Sequence, residues 1–435
     1  MRLSFRTVLI CLKLALQSSL LGLAAAALAA PITIKPKSSV VPAAERENRS
    51  AVKALVYGDL VAAKRHYEAA LKSDPKFTPA LIGLANVAQG QGNLAKAEAQ
   101  LKLAERTAPQ APEVHLAWGR YWLAKGDRQS AEAALQTSHR LGPRLIPPLL
   151  ELGALYASLP GRSAEALRAY RQAVAIDPNN PFVQYGLGLA AVAAGQRIDA
   201  LIALQRAAEL SPTDPAPHRA MGRMHLEVGN LDLAVEAFDA GLARQPGFVP
   251  LMLDRADALG RAARWSAALE QLQRAESLAP KLAEIPLKVG DVHQANKRWD
   301  PAQASYLRVI ELDPKNAIAH NNLAWMTLER KGNATQAVDW ARKAVALSPG
   351  SSPFHDTLGW AERAAGNLPS ALASTLRAIE IEPKVAGYHF HLGVLQGELK
   401  RPAQARAALL HALELDAALP EAEDVKQLLK SLPAS

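Results

Sequence analysis

The stretch Asn321–Trp360, NNLAWMTLERKGNATQAVDWARKAVALSPGSSPFHDTLGW, begins and ends with the same phrase in two spellings. Asn321-Asn322-Leu323-Ala324-Trp325 returns 35 residues later as Asp356-Thr357-Leu358-Gly359-Trp360, keeping the order polar, polar, Leu, small, Trp. Between them, Pro349 ends an Ala-rich segment; proline cannot extend a helix, and it biases its predecessor away from helical geometry. Outward from this stretch, prolines recur at Pro75, Pro109, Pro143, Pro178, Pro212, Pro246, Pro280, Pro314, Pro349 and Pro383. The step is 34 residues, except for 35 at Pro143–Pro178 and Pro314–Pro349. A fixed period of this size marks a stack of one supersecondary unit.

Each period carries the same pattern. Its first half holds a large residue followed by a small one, as in Trp118-Gly119, Leu152-Gly153, Leu187-Gly188, Val289-Gly290 and Leu392-Gly393. A turn follows, with glycine at Gly92, Gly126, Gly195, Gly229 and Gly366. The second half spaces a small, a large and a smaller residue four and three apart: Ala63/Tyr67/Ala70, Ala166/Tyr170/Ala173, Ala234/Phe238/Gly241, Ala302/Tyr306/Val309. Small residues let two antiparallel helices approach, and the large residue fills the notch between them and the next pair. A single pair cannot bury its own apolar face, so the units must stack.

The composition agrees. Of 435 residues 49% are hydrophobic but only 5% aromatic, an Ala- and Leu-rich balance that favours helix over a β sandwich or barrel. In the pattern, Trp118 and Trp122 take the large positions of a first helix. Trp265 and Trp299 fall where other repeats have Leu60, Leu94, Leu231 and Leu368, and so belong to the core; Trp340 finds no place.

This grammar resembles the tetratricopeptide repeat family, most clearly in His115-x-x-Trp118-Gly119-x-x-Trp122 and Leu149-x-x-Leu152-Gly153-x-x-Tyr156. The resemblance covers about eleven repeats over residues 44–417. It implies an all-α, right-handed superhelical solenoid of helix-turn-helix repeats. Departures are local: Arg255-Ala256 weakens one motif, and one extra residue sits near Pro160-Gly161 and another near Lys331-Gly332. Residues 418–435 read as a charged capping helix, Pro420–Leu432, with a tail.

Residues 1–29 read as a secretory signal peptide: a basic start, an apolar run and Ala27-Leu28-Ala29 as a small-x-small cleavage site. A Pro-rich leader, residues 30–43, follows. The single cysteine, Cys11, lies within that signal, so no disulfide or thiol chemistry is expected after cleavage. No second long apolar stretch exists, so an exported, periplasmic protein with no transmembrane span is expected. The formal charge of +9 falls near +6 without Arg2, Arg6 and Lys13 and is spread along the helices. No basic stripe interleaved with aromatics is present, so nucleic acid is not an expected partner.

No nucleophile elbow, phosphate loop, zinc-protease or calcium-loop motif occurs, and no catalytic residue, cofactor or metal is expected. His115, His218, His320, His355 and His389 share one place in their repeats, too far apart to hold one metal; His389 and His391 point away from each other. Trp325 and Trp360 are different, because the packing pattern does not require them. Each follows the small packing residue by one position, about 100° round the helix. In proteins of the resembled family, that position faces the concave groove. A candidate partner-binding patch therefore comprises Asn321, Trp325, Asp356, Trp360, Arg363, Phe390 and Val394. A secondary patch comprises Phe182, Tyr185, Leu189, Arg219, Arg223, Asp257 and Asp291.

The Asn321–Trp360 stretch is similar to exported bacterial envelope tetratricopeptide proteins, especially those of exosortase/PEP-CTERM exopolysaccharide loci. That resemblance implies a non-enzymatic scaffold that binds other envelope proteins or extended peptides, in exopolysaccharide export or envelope assembly. Direct polysaccharide binding, with the tryptophans stacked on sugar rings, and an adaptor that tethers peptidoglycan enzymes are the alternatives.

Overall fold

The computed structural model describes residues 42–433. The expected signal peptide and residues 30–41 of the leader lie outside the described residues, and Pro42 and Ala43 already belong to the first helix, Pro42–Val56. The described residues form 23 helices and no strand: eleven consecutive helix pairs, then a last helix, Ala422–Ser431. Pairs are numbered here in chain order. The described residues divide into two compact units, 42–224 and 225–433, with the break inside the first helix of pair six, Ala216–Glu227.

In the first unit the large-into-small packing is direct. A Cβ built on Gly119 would lie 2.5 Å from the Leu135 side chain. The Tyr170 ring is pinched between two backbones: a Cβ on Gly153 would come within 2.5 Å of it, and one on Gly186, in the following pair, within 2.2 Å. One residue thus packs a pair internally and fixes its neighbour, which is why the period needs small residues at set places. Asp59, Asn93 and Asp127 start second helices by accepting the N–H of Ala62, Lys96 and Ser130 at 2.8, 3.0 and 3.0 Å.

The second unit repeats the scheme, with Gly290 against Tyr306 and Gly393 against Leu409. Trp265 and Trp299 pack against the apolar clusters, as expected. In pair nine the large position is taken by Ala341, and the neighbouring Trp340 makes up the volume. Trp340 packs against the clusters on both sides and lies 5.3 Å from the His320 ring, which gives it the place the sequence pattern lacked. In pair ten the position is Thr375, fully buried against Gly359.

Every turn inside a pair passes through left-handed backbone. Seven of these positions are glycine; the other four are Ala263, Lys297, Lys331 and Lys400, with φ between 51 and 59°. In pair nine the left-handed residue is Lys331, not the adjacent Gly332.

The recurrent histidines have a structural task. His115, His355 and His389 each donate Nε2–H to the carbonyl of the proline six residues earlier, Pro109, Pro349 and Pro383, at 2.8, 2.9 and 2.8 Å. His320 does the same to Pro314 at 3.3 Å, and Gln184 to Pro178 at 2.8 Å. These side chains satisfy carbonyls in the links between pairs.

Candidate functional site

In pairs seven to eleven, all in the second unit, the residue after the small packing position reads Asp257, Asp291, Trp325, Trp360, Val394. The small residues before them face their own second helices, as Gly290, Gly359 and Gly393 do. A rotation of 100° turns the next residue off that interface. First helices of successive pairs also touch. A Cβ on Gly260 would lie 3.4 Å from Val292, and Asn322 Nδ2 donates to Asp291 Oδ1 at 3.1 Å. The five residues therefore form one row across adjoining first helices.

The two tryptophans of the row differ. The imidazole of His391 is stacked on the indole of Trp360, with centroids 4.1 Å apart, and the Arg363 guanidinium lies 4.4 Å from the same ring. His391 Nδ1 pairs with Asp356 Oδ1 at 2.7 Å in a buried contact, and Arg363 Nε donates to Glu398 Oε1 at 3.0 Å. Trp360 is thus built into a seam between pairs ten and eleven. Trp325 is half-buried, and among the described residues no ring or cation stacks on it. One turn earlier, Asn321 Oδ1 is buried and has no hydrogen-bond donor among the described residues.

The other residues of the first patch divide the same way. Phe390 is 8% exposed and belongs to the C-terminal apolar cluster with Leu409, Leu419 and Val425, so it is interior; Val394 packs half-buried against that cluster. The structure thus brings Asp356, Trp360 and Arg363 together through His391 and Glu398, which the sequence reading passed over. His391 lies one residue beyond the repeat step from Asp356, a register signal that could have singled it out.

The acidic end of the row is crowded. Asp291 Oδ1 accepts from the Tyr306 hydroxyl at 2.8 Å as well as from Asn322. Desolvation by surrounding atoms, although the residue is open at its surface, pushes the Asp291 carboxyl up to about 6. Desolvation opposes the charge on Lys288, but Asp257 and the other carboxylates around it outweigh that and hold its pKa above the ordinary value. Lys288 pairs with Glu284 on its own helix at 4.0 Å and also feels Asp254, Asp257 and Asp291, so carboxylates outnumber the ammonium here.

Of the second patch, Phe182 is 55% exposed and Tyr185 half-buried, its hydroxyl pushed up to about 12 by burial and influenced by Asp214, Arg219 and Arg223. Leu189 is 1% exposed and so is a packing residue, not a surface one. These five residues lie in the first unit, and Asp257 and Asp291 in the second.

The first unit also holds a charge pair the sequence reading did not flag. Arg120 donates Nε–H to Glu151 Oε1 at 2.7 Å, with side chains 2% and 0% exposed. Burial pushes the Glu151 carboxyl up against the pull of Arg120. Among the described residues, no three His, Cys, Asp or Glu are grouped to hold a metal ion, and no helix is long and apolar enough to cross a membrane.

Comparison with known proteins gives a consistent result. Family profiles described as tetratricopeptide repeat match residues 43–120, 219–283, 287–352 and 386–419, and one described as TPR repeat matches residues 160–195. The human Protein O-mannosyl-transferase TMTC1 is 25% identical over 214 residues, 47% of this chain and 24% of that protein. A TPR repeat-containing protein of Pseudomonas aeruginosa is 29% identical over 161 residues, 36% of this chain and 27% of that one. The chain thus spans about a quarter of the length of these curated relatives. Among solved structures, the crystal structure of yeast Tom70 aligns with a TM-score of 0.51 at 12% identity, covering 89% of this chain and 95% of that one, a likeness of fold.

Proposed function

Because the chain belongs to the tetratricopeptide repeat family, whose arrays act as protein–protein interaction scaffolds, we propose that it binds an extended segment of a partner protein along the first helices of its second unit. The reading rests on one observation. Trp325 is half-buried on the first helix of its pair, and no described ring or cation stacks on it. An extended peptide supplies the apolar side chain that the open part of the indole lacks. Trp360, already stacked, serves as the wall of that site rather than as its contact surface.

The proposed scaffold is non-enzymatic; the transferase named among its relatives is matched over only 24% of its length. We further propose that the protein is exported to the periplasm and serves envelope assembly or exopolysaccharide export. The basic-then-apolar start ending in Ala27-Leu28-Ala29 and the likeness of the Asn321–Trp360 stretch to envelope proteins support this.

A photo-crosslinking residue placed at Trp325, in the full chain expressed in its own cell envelope, tests the reading. Crosslinks to a polypeptide that disappear when the probe is moved to an interior site such as Phe390 support it. Crosslinks to polysaccharide alone would replace it with the glycan reading, which the unstacked Trp325 ring also accommodates.

A further inference from the structure

The face built by the first helices of the second unit changes chemistry along its length, and that gradient identifies its occupant further; this inference rests on the peptide-binding reading above. Two carboxylates, Asp257 and Asp291, occupy successive rungs, and the ammonium that feels both, Lys288, already pairs with Glu284 at 4.0 Å. The nearby Arg255 is engaged elsewhere, with Asp239 at 2.6 Å, and does not neutralise them. The next rung is the unstacked indole of Trp325, and beyond it stands the stacked Trp360. A surplus of negative charge is thus followed directly by apolar surface.

The rung spacing sets a register. Packed helices lie about 8–10 Å apart. An extended chain in the polyproline II conformation advances about 3.1 Å per residue with three residues per turn, so every third side chain shares a face at about 9 Å spacing. We propose that the occupant is an extended polypeptide with two cationic side chains and one apolar side chain three residues apart, cation-x-x-cation-x-x-apolar, read in either chain direction. The cations meet Asp257 and Asp291, and the apolar residue meets Trp325. Charge complementarity favours this occupant over others. A neutral glycan leaves the surplus negative charge uncompensated, and a nucleic acid is repelled by it.

The test uses the full chain and three end-labelled synthetic peptides, followed by fluorescence anisotropy at low and moderate salt. The first carries Arg-x-x-Arg-x-x-Leu with Ser and Pro spacers, the second has the same composition scrambled, and the third has Glu in place of Arg. The first should bind at least about tenfold more tightly than the other two, the preference weakening with salt. Asp257→Asn with Asp291→Asn should remove the preference. Asp257→Lys with Asp291→Lys should transfer it to the Glu peptide, which separates lost charge from lost folding.

Equal binding of the first two peptides would overturn the register. If Trp325→Ala abolishes binding while the double Asn variant binds unchanged, the peptide-binding face stands and the charge register falls. If no peptide binds and a polysaccharide does, both readings fall together.

Discussion

The His391 imidazole lies stacked on the Trp360 indole, 4.1 Å between ring centroids, with its Nδ1 bonded to Asp356 across the boundary between pairs ten and eleven. Trp325 holds the same place in its own repeat with no such partner among the described residues. Two tryptophans in equivalent positions are thus assigned to different work, one to stability and one to contact. Trp360→Ala should therefore destabilise the second unit by about 2 kcal/mol or more, through lost packing and a cavity. Trp325→Ala should cost much less stability and most of the peptide binding. Chemical denaturation, paired with hydrogen exchange in the first helices of pairs ten and eleven, measures the first effect; anisotropy measures the second. Equal stability losses in the two variants would contradict the assignment.

The raised pKa of Asp291 gives a pH dependence of defined sign. A carboxyl pushed up to about 6 when folded, against 3.8 otherwise, favours the folded state in its protonated form. That contribution is complete below the unfolded value and is lost as pH rises through about 6. Asp291→Asn keeps an acceptor for the Tyr306 hydroxyl and removes the titration. The fall in thermal midpoint between about pH 4.5 and about pH 7.5 should be smaller in the variant than in the parent. Lys288, Asp257 and Tyr306 face the same carboxyl, so the change should be partial. Identical pH profiles would show that Asp291 does not titrate there.

The four non-glycine residues at left-handed turn positions carry a strain that glycine relieves. Left-handed backbone costs an L-residue about 1–2 kcal/mol, offset in part by the greater freedom of an unfolded glycine. Lys297→Gly and Ala263→Gly should each stabilise the second unit by about 0.5–1 kcal/mol. Gly195→Ala, at φ 73° in open space, should do the reverse in the first unit by about 1 kcal/mol. Differential scanning calorimetry of the full chain tests all three, because Ala263 and Lys297 are exposed and a Cβ on Gly195 meets nothing within 4 Å.

The buried Arg120–Glu151 pair should behave asymmetrically. Arg120→Met leaves a carboxylate in the interior and should cost about 3–5 kcal/mol. Arg120→Met with Glu151→Leu removes both charges and should be near neutral or stabilising. Denaturant melts of the single and double variants decide this. A double variant as unstable as the single would show that the pair contributes more than its mutual neutralisation.

Most of the architecture was legible because a repeat states its packing rule many times over. The glycines at 119, 153 and 290 and the large residues Leu135, Tyr170 and Tyr306 could be matched by spacing alone, and they meet as that spacing requires. The recurrent histidines were read as positional, and the carbonyls of Pro109, Pro349 and Pro383 show what that position does. Where one repeat departed from the rule, the pattern failed. Trp340 could not be placed because its role depends on Ala341 leaving a gap beside it.

The candidate site was only half legible. Spacing gave Trp325 and Trp360 one repeat position, since a helix turns about 100° per residue whatever its neighbours, but assigned Asp257 and Asp291 to a separate patch; contacts between first helices join them in one row. It could not say that His391 would cover Trp360, that Phe390 and Leu189 would be interior, or that Arg120 and Glu151 would meet out of water. Those outcomes depend on contacts between side chains from different pairs, 31 residues apart for Arg120 and Glu151 and 35 for Asp356 and His391. Period and helix geometry are properties of a single chain segment, so sequence alone determined the fold. Exposure and partnership are properties of the space between segments, so only the tertiary packing decided which of the marked residues is left to bind.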